Sequence, residues 1–122
     1  DIFGSELLGY FPEANLLVNI TNNAWFGKSF ASEQHFQMSR MRAIETGRFL
    51  LRATNTGVTA IVGPNGTVQK HAESFKFSVL SGTFESMIGS TPYIKYGNSL
   101  IVFLMILNLF LGYFWGRNRI KI

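Results

Sequence analysis

The sequence predicts an α/β body followed by one transmembrane helix, and three observations predict it. Over residues 15–84, short runs rich in β-branched and aromatic residues are interrupted by one stretch of helical spacing. Tyr96 to Gly116 is a stretch of 21 residues without a charge, and at 1.5 Å per helical residue it spans about 31 Å, close to the hydrocarbon thickness of a bilayer. The composition divides along the same line. Of the 17 residues Ser99–Trp115, 14 are apolar, and without Arg117, Arg119 and Lys121 the formal charge of +4 falls to +1.

Taken in order, Ile2, Phe3, Leu7, Leu8 and Phe11 recur at three- and four-residue spacings, which predicts a short amphipathic helix ending at Gly9 or Pro12. Asn15–Thr21 is a β-rich run bounded by polar residues and predicts a buried strand. Asn22-Asn23-Ala24-Trp25-Phe26-Gly27 breaks that run as a loop, because Asn and Gly tolerate left-handed backbone geometry. Phe36, Met41, Ala43 and Ile44 predict a helix from Glu33 to Thr46, with Ser32 as its N-cap and Gly47 as its stop. Two strands follow, Phe49–Thr54 and Val58–Val62, around the compact turn Asn55-Thr56-Gly57. Pro64-Asn65-Gly66 turns the chain into Thr67–His71, and Phe77–Phe84 predicts a last strand. One helix cannot cover such a sheet on both faces, so an apolar face is expected to be covered by chain lying outside this sequence.

The uncharged stretch reads as a membrane span. Eleven of the residues Ser99–Trp115 are Leu, Ile, Val or Phe, worth roughly −3 to −7 kcal/mol for insertion. Asn108 sits near its middle and suits a neighbouring helix of the same protein. Tyr93 and Tyr96 mark one interface, Tyr113 and Trp115 the other, and the basic residues that follow put the tail in the cytoplasm and the body on the opposite side, which in a bacterium is the periplasm. The predicted organisation is a body over residues 1–90, a linker over 91–97, the span over 98–116 and a basic tail over 117–122.

Composition excludes several classes. With no cysteine, the chain holds no disulfide framework and no zinc–thiolate site. A near-neutral body argues against a nucleic-acid surface. His35 and His71 lie in different predicted elements, so no metal cluster is expected, nor any other cofactor. Ser29, Ser32 and Ser39 lack a Gly-x-Ser-x-Gly elbow, which leaves a serine hydrolase unsupported.

Asn22 to Gly27, Gln34 to Glu45 and Leu51 to Gly57 together resemble the carbon–nitrogen hydrolase (nitrilase) superfamily. The Arg-Ala-Ile-Glu run ending at Glu45 and the Ala-Thr-Asn-Thr-Gly run ending at Gly57 are general to it. Trp25 in its Asn-x-Ala-Trp-Phe-Gly setting, Thr91-Pro92-Tyr93 and the terminal span resemble its apolipoprotein N-acyltransferase branch. The resemblance implies the C-terminal part of a periplasmic nitrilase-like αββα sandwich, followed by one transmembrane helix of a multi-span enzyme. It implies a phospholipid acyl donor, an apolipoprotein acceptor and a Glu-Lys-Cys triad working through a thioester. This chain has no cysteine, so no catalytic residue is assigned in it. The family's Cys-Tyr-Glu run is expected immediately before Asp1, and this sequence alone is expected to be inactive.

The resemblance also places the matching Trp in the substrate cavity, which makes Trp25 the expected pocket residue, with Phe26 and Asn23 beside it. Asn22 and Asn23 can donate to a substrate carbonyl or simply form the turn. His35, Arg42, Glu45, Asn55 and Thr56 are expected to brace the site; Arg42 and Glu45 are three apart on one helical face and can pair. A soluble-type amidase tail and a non-enzymatic, membrane-tethered binding domain stay open as alternatives.

Overall fold

The computed structural model describes residues 4–119, with side chains through Gly116. Ile2 and Phe3 of the expected first helix, Lys121 of the expected tail and the side chains of Arg117 and Arg119 lie outside the described residues. Four strands form one sheet in sequence order: β1 (Leu16–Thr21), β2 (Phe49–Thr54), β3 (Ala60–Val62) and β4 (Val68–His71). β1 and β2 run parallel, with Leu16 opposite Phe49 and Thr21 opposite Thr54. β2, β3 and β4 are antiparallel neighbours. A parallel pair needs a long crossover, and α1 (Ala31–Thr46) supplies it.

α1 begins without its expected cap. Ser32 lies inside the helix, and the first turn is instead met by Ser29, whose Oγ accepts from the Ala31 N–H at 3.4 Å. At the other end, Gly47 adopts φ 61° and returns its N–H to Ile44 at 3.3 Å, the left-handed stop that a side chain would strain. The buried stripe of α1 is Ser32, Phe36, Ser39, Ala43 and Thr46. Met41 and Ile44, read from their spacing as part of the apolar face, stand exposed. Small side chains set the helix close to the sheet, and two of the hydroxyls are satisfied within the helix: Ser39 Oγ donates to the His35 carbonyl and Thr46 Oγ1 to the Arg42 carbonyl. Phe36 and Ala43 close the core against Leu50, Val58, Ala60 and Val62, with Leu17 and Val68 at its margin.

The opposite sheet face is open. Val18 is 63% and Ile20 82% exposed, so β1 is covered on one side only among the described residues rather than buried as a parallel strand usually is. The expected strand Phe77–Phe84 is absent. Residues 78–84 cross this open face instead, walling a groove with Val18, Ile20 and Ile61. Gly82 is held so close that a Cβ there would lie 2.6 Å from Ile61 Cδ1, and the Phe84 ring meets Phe49 at 6.4 Å. Ladder hydrogen bonds lie in the plane of a sheet, so a segment laid across its face cannot join them.

The C-terminal segment is tied to the lower end of the sheet. Arg48 is 2% exposed and spends its guanidinium on backbone carbonyls: Nε donates to Ala14 at 2.7 Å, Nη2 to Gly89 at 2.7 Å and Nη1 to Thr46 at 3.2 Å. Thr91 Oγ1 donates to the Glu45 carbonyl and accepts from the Ile94 N–H at 3.1 Å, capping a short helix, α2 (Pro92–Tyr96). The stretch read as a linker is therefore helical. Gly97, at φ 54°, ends α2, and α3 (Ser99–Arg119) follows. Within it Ser99–Gly116 has a mean hydropathy of 2.0 and none of its residues is buried. Asn108 Nδ2 donates to the Leu104 carbonyl at 2.9 Å, satisfying one donor inside its own helix.

Candidate functional site

The loops leaving the parallel pair at the C-terminal ends of β1 and β2 meet over the first turns of α1. In open α/β sheets this is where ligands bind, because the strand ends diverge and the crossover helix begins there. Asn55 stitches the loops together. Its Oδ1 accepts from the Asn23 and Thr56 N–H groups, each at 2.9 Å, and its Nδ2 donates to Asn22 Oδ1 at 2.7 Å. Asn22 Oδ1 also accepts from the Ala24 N–H at 3.0 Å, starting the 3-10 turn Ala24–Phe26. Gly57 is required by this closeness: a Cβ there would stand 2.3 Å from Asn23 Nδ2.

Asn23 is 1% exposed and sits at the centre of the knot. Its Nδ2 donates to Ser32 Oγ at 3.4 Å, and its Oδ1 lies 3.1 Å from His35 Nδ1, which donates in this arrangement. Through these contacts the side chain of Asn23, expected beside Trp25 in the pocket, also holds the loop. The His35 ring stands edge-on to Phe26, centroids 6.1 Å apart and planes at 80°. Burial, and then the positive charge of Arg52, hold His35 below its ordinary pKa of 6.5. The imidazole is neutral at neutral pH as a result.

Trp25 projects from the same turn at 83% exposure, and Phe26 is partly covered by His35. Beside them a cleft of about 260 Å³ opens between Lys28, Phe30, Ser32, Thr56 and Phe75, with Lys28 Nζ 5.9 Å above the Phe75 ring. Of the residues expected from the sequence, Trp25, Phe26, Asn23, His35, Asn55 and Thr56 are brought together here. Arg42 and Glu45 are not. They pair two turns further along α1, with Arg42 Nη1 3.0 Å from Glu45 Oε2. Gly4 leaves room there for the guanidinium, which a Cβ would overlap, and Tyr93 Oη is close by. Burial raises the Glu45 pKa, while Arg42 pulls it the other way.

Three polar residues below the loops were given no role in the sequence reading. Arg52 and Ser39, both buried, meet the half-buried Asn19: Arg52 Nη1 donates to Asn19 Oδ1 at 2.8 Å and to Ser39 Oγ. Asn19 and Arg52 are register partners, two residues short of the strand ends. Burial lowers the Arg52 pKa to about 10, which leaves it charged at neutral pH. The signal was an Arg inside the apolar strand Phe49–Thr54, since a buried charge must be met by partners.

This architecture, a parallel strand pair with loops knotted over its C-terminal ends, has a known family. Residues 10–93 match the carbon–nitrogen hydrolases, and the chain belongs to that family. Over 122 residues it is 49% identical to the apolipoprotein N-acyltransferase of Nitrosomonas europaea, covering 98% of this chain and 24% of that protein. The enzyme of the same name from Chromobacterium violaceum is 47% identical over 121 residues, 96% of this chain and 23% of its own. That of Methylococcus capsulatus is 53% identical over 98 residues, 80% of this chain and 19% of its own. The chain thus spans about a quarter or less of the length of these curated relatives.

Proposed function

We propose that the chain is the C-terminal part of a membrane N-acyltransferase that moves a fatty acyl chain from a phospholipid to the N-terminal cysteine amine of apolipoproteins. The observation that carries this reading is Trp25, held out at 83% exposure on a turn whose root, Asn23, is locked at the C-terminal end of β1. An exposed indole on a rigid root gives apolar contact area at little entropic cost, which suits an acyl chain. The names of the relatives agree with that substrate class.

In the proposed reaction a thiol from a segment outside this chain yields its proton to a base there, the thiolate attacks the phospholipid ester carbonyl, and the lysophospholipid leaves as its alcohol by taking that proton. The acceptor's α-amine then attacks the thioester, forming the amide and releasing the thiolate. Trp25 and Phe26 line the acyl path. Asn23, His35, Asn55 and Thr56 hold those two rings in place. Arg42 and Glu45 brace the far end of α1.

Residues 1–90 then belong to the periplasmic hydrolase-like domain, 91–97 connect it, 98–116 cross the inner membrane and 117–122 form the cytoplasmic tail. Trp25→Ala in the full-length enzyme should lower lipopeptide acylation at least about tenfold, the loss of roughly one good aromatic contact in the transition state. Unchanged acylation would remove the pocket assignment.

A further inference from the structure

A second cavity, remote from the knotted loops, lies where the body meets α3. It has a volume of about 660 Å³ and is formed between the 3-10 helix Gly4–Tyr10 and the α2–α3 junction. One wall is apolar: Leu8 on the body side, and Val102, Phe103 and Ile106 on the first two turns of α3. Its polar lining includes Lys95, Asn98 and Ser99, and Lys95 is the one charged side chain among the described residues that line it. Gly97 makes the approach possible, since a Cβ there would press to 3.2 Å on Leu8 Cδ1.

We infer that this groove binds one phospholipid of the bilayer, its phosphate at Lys95, Asn98 and Ser99 and one acyl chain along Leu8, Val102, Phe103 and Ile106. The inference rests on α3 crossing the membrane. A cation and two neutral donors at the level where an apolar helix enters, above a wall of aliphatic and aromatic side chains, match the anionic head and apolar tail of such a lipid. A neighbouring helix is the rival occupant. Helices pack in membranes on small and polar positions; beyond Ser99, which lines the groove itself, those of the span are Asn108, Gly112 and Gly116. At 3.6 residues per turn their mean direction lies about 130° around the helix from that of Val102, Phe103 and Ile106, so most of the face suited to a helix points away from the groove.

The test uses the full-length protein in membranes of phosphatidylethanolamine and phosphatidylglycerol, with Phe103 replaced by a photoreactive benzoylphenylalanine. Irradiation should add the mass of one phospholipid to the peptide carrying residue 103, and Lys95→Glu should lose most of that adduct. A cross-link from residue 103 to another segment of the protein would overturn the inference, as would a lipid adduct indifferent to Lys95→Glu. Release of the protein from membranes by alkaline carbonate would overturn it together with the span.

Discussion

The two ends of α1 are held by opposite kinds of chemistry. At its start, Asn22, Asn23, Asn55 and His35 tie two loops together through hydrogen bonds among neutral amides and an imidazole. At its finish, Arg48 distributes one guanidinium over carbonyls from three separate segments, and Arg42 pairs with Glu45. Neutral knots fix loop geometry without filling the space above them, which leaves Trp25 outside. The charged clamp ties the route to α3 onto the body.

The largest expected difference between the ends comes from Arg48→Ala. It would strip several buried carbonyls of their donor, for a loss of about 3–5 kcal/mol. Arg48→Lys should recover little of it, because an ammonium cannot reach the fork of acceptors. Thermal unfolding of the full chain would measure both, and a near-wild-type midpoint for Arg48→Ala would break the contrast. Asn23→Ala comes next, at about 2–3 kcal/mol, since Ser32 and His35 lose a buried partner. Hydrogen exchange should localise that loss to residues 22–27 and 55–57, leaving the Arg48 end protected.

The two ends should respond to pH with opposite signs. The folded pKa of His35 lies below 6.5, so the unfolded state binds more protons through that window. The stability His35 contributes is whole above pH 6.5 and is lost as pH falls toward the folded value. Loop exchange should therefore quicken on acidification, and His35→Gln should flatten the response. Glu45 has the opposite sign: its raised pKa gives stability at low pH that is lost as pH rises through the folded value. The smallest effect is Trp25→Ala on stability, within about 0.5 kcal/mol for so exposed a side chain. A larger loss would mean that Trp25 packs on the rest of the protein.

Much of this contrast was legible beforehand. The Asn-rich loop, the turn at Asn55 and the stop at Gly47 were readable because each depends on what one residue's backbone allows. The β2 strand and α3 were readable from long apolar patterns. The face of α1 was not, since its buried stripe of Ser32, Ser39 and Thr46 looks polar and its exposed Met41 and Ile44 look like core. Residues 77–84 carry strand-like residues, yet what a strand pairs with is decided elsewhere in the chain.

By itself the sequence determined the order of elements from β1 to β4, the apolar helix at the C-terminal end, and the family, through the Asn-x-Ala-Trp-Phe-Gly and Arg-Ala-Ile-Glu runs. These follow from local backbone preference and from hydropathy along a single segment. Only the tertiary structure decided that Asn23 is a buried knot and Trp25 an exposed ring two residues away. It also decided that Arg42 and Glu45 stand apart from the loops, and that Arg48 and Arg52 are inside. Burial and hydrogen-bond partnership belong to pairs of segments far apart in the chain, and no single stretch of residues carries them.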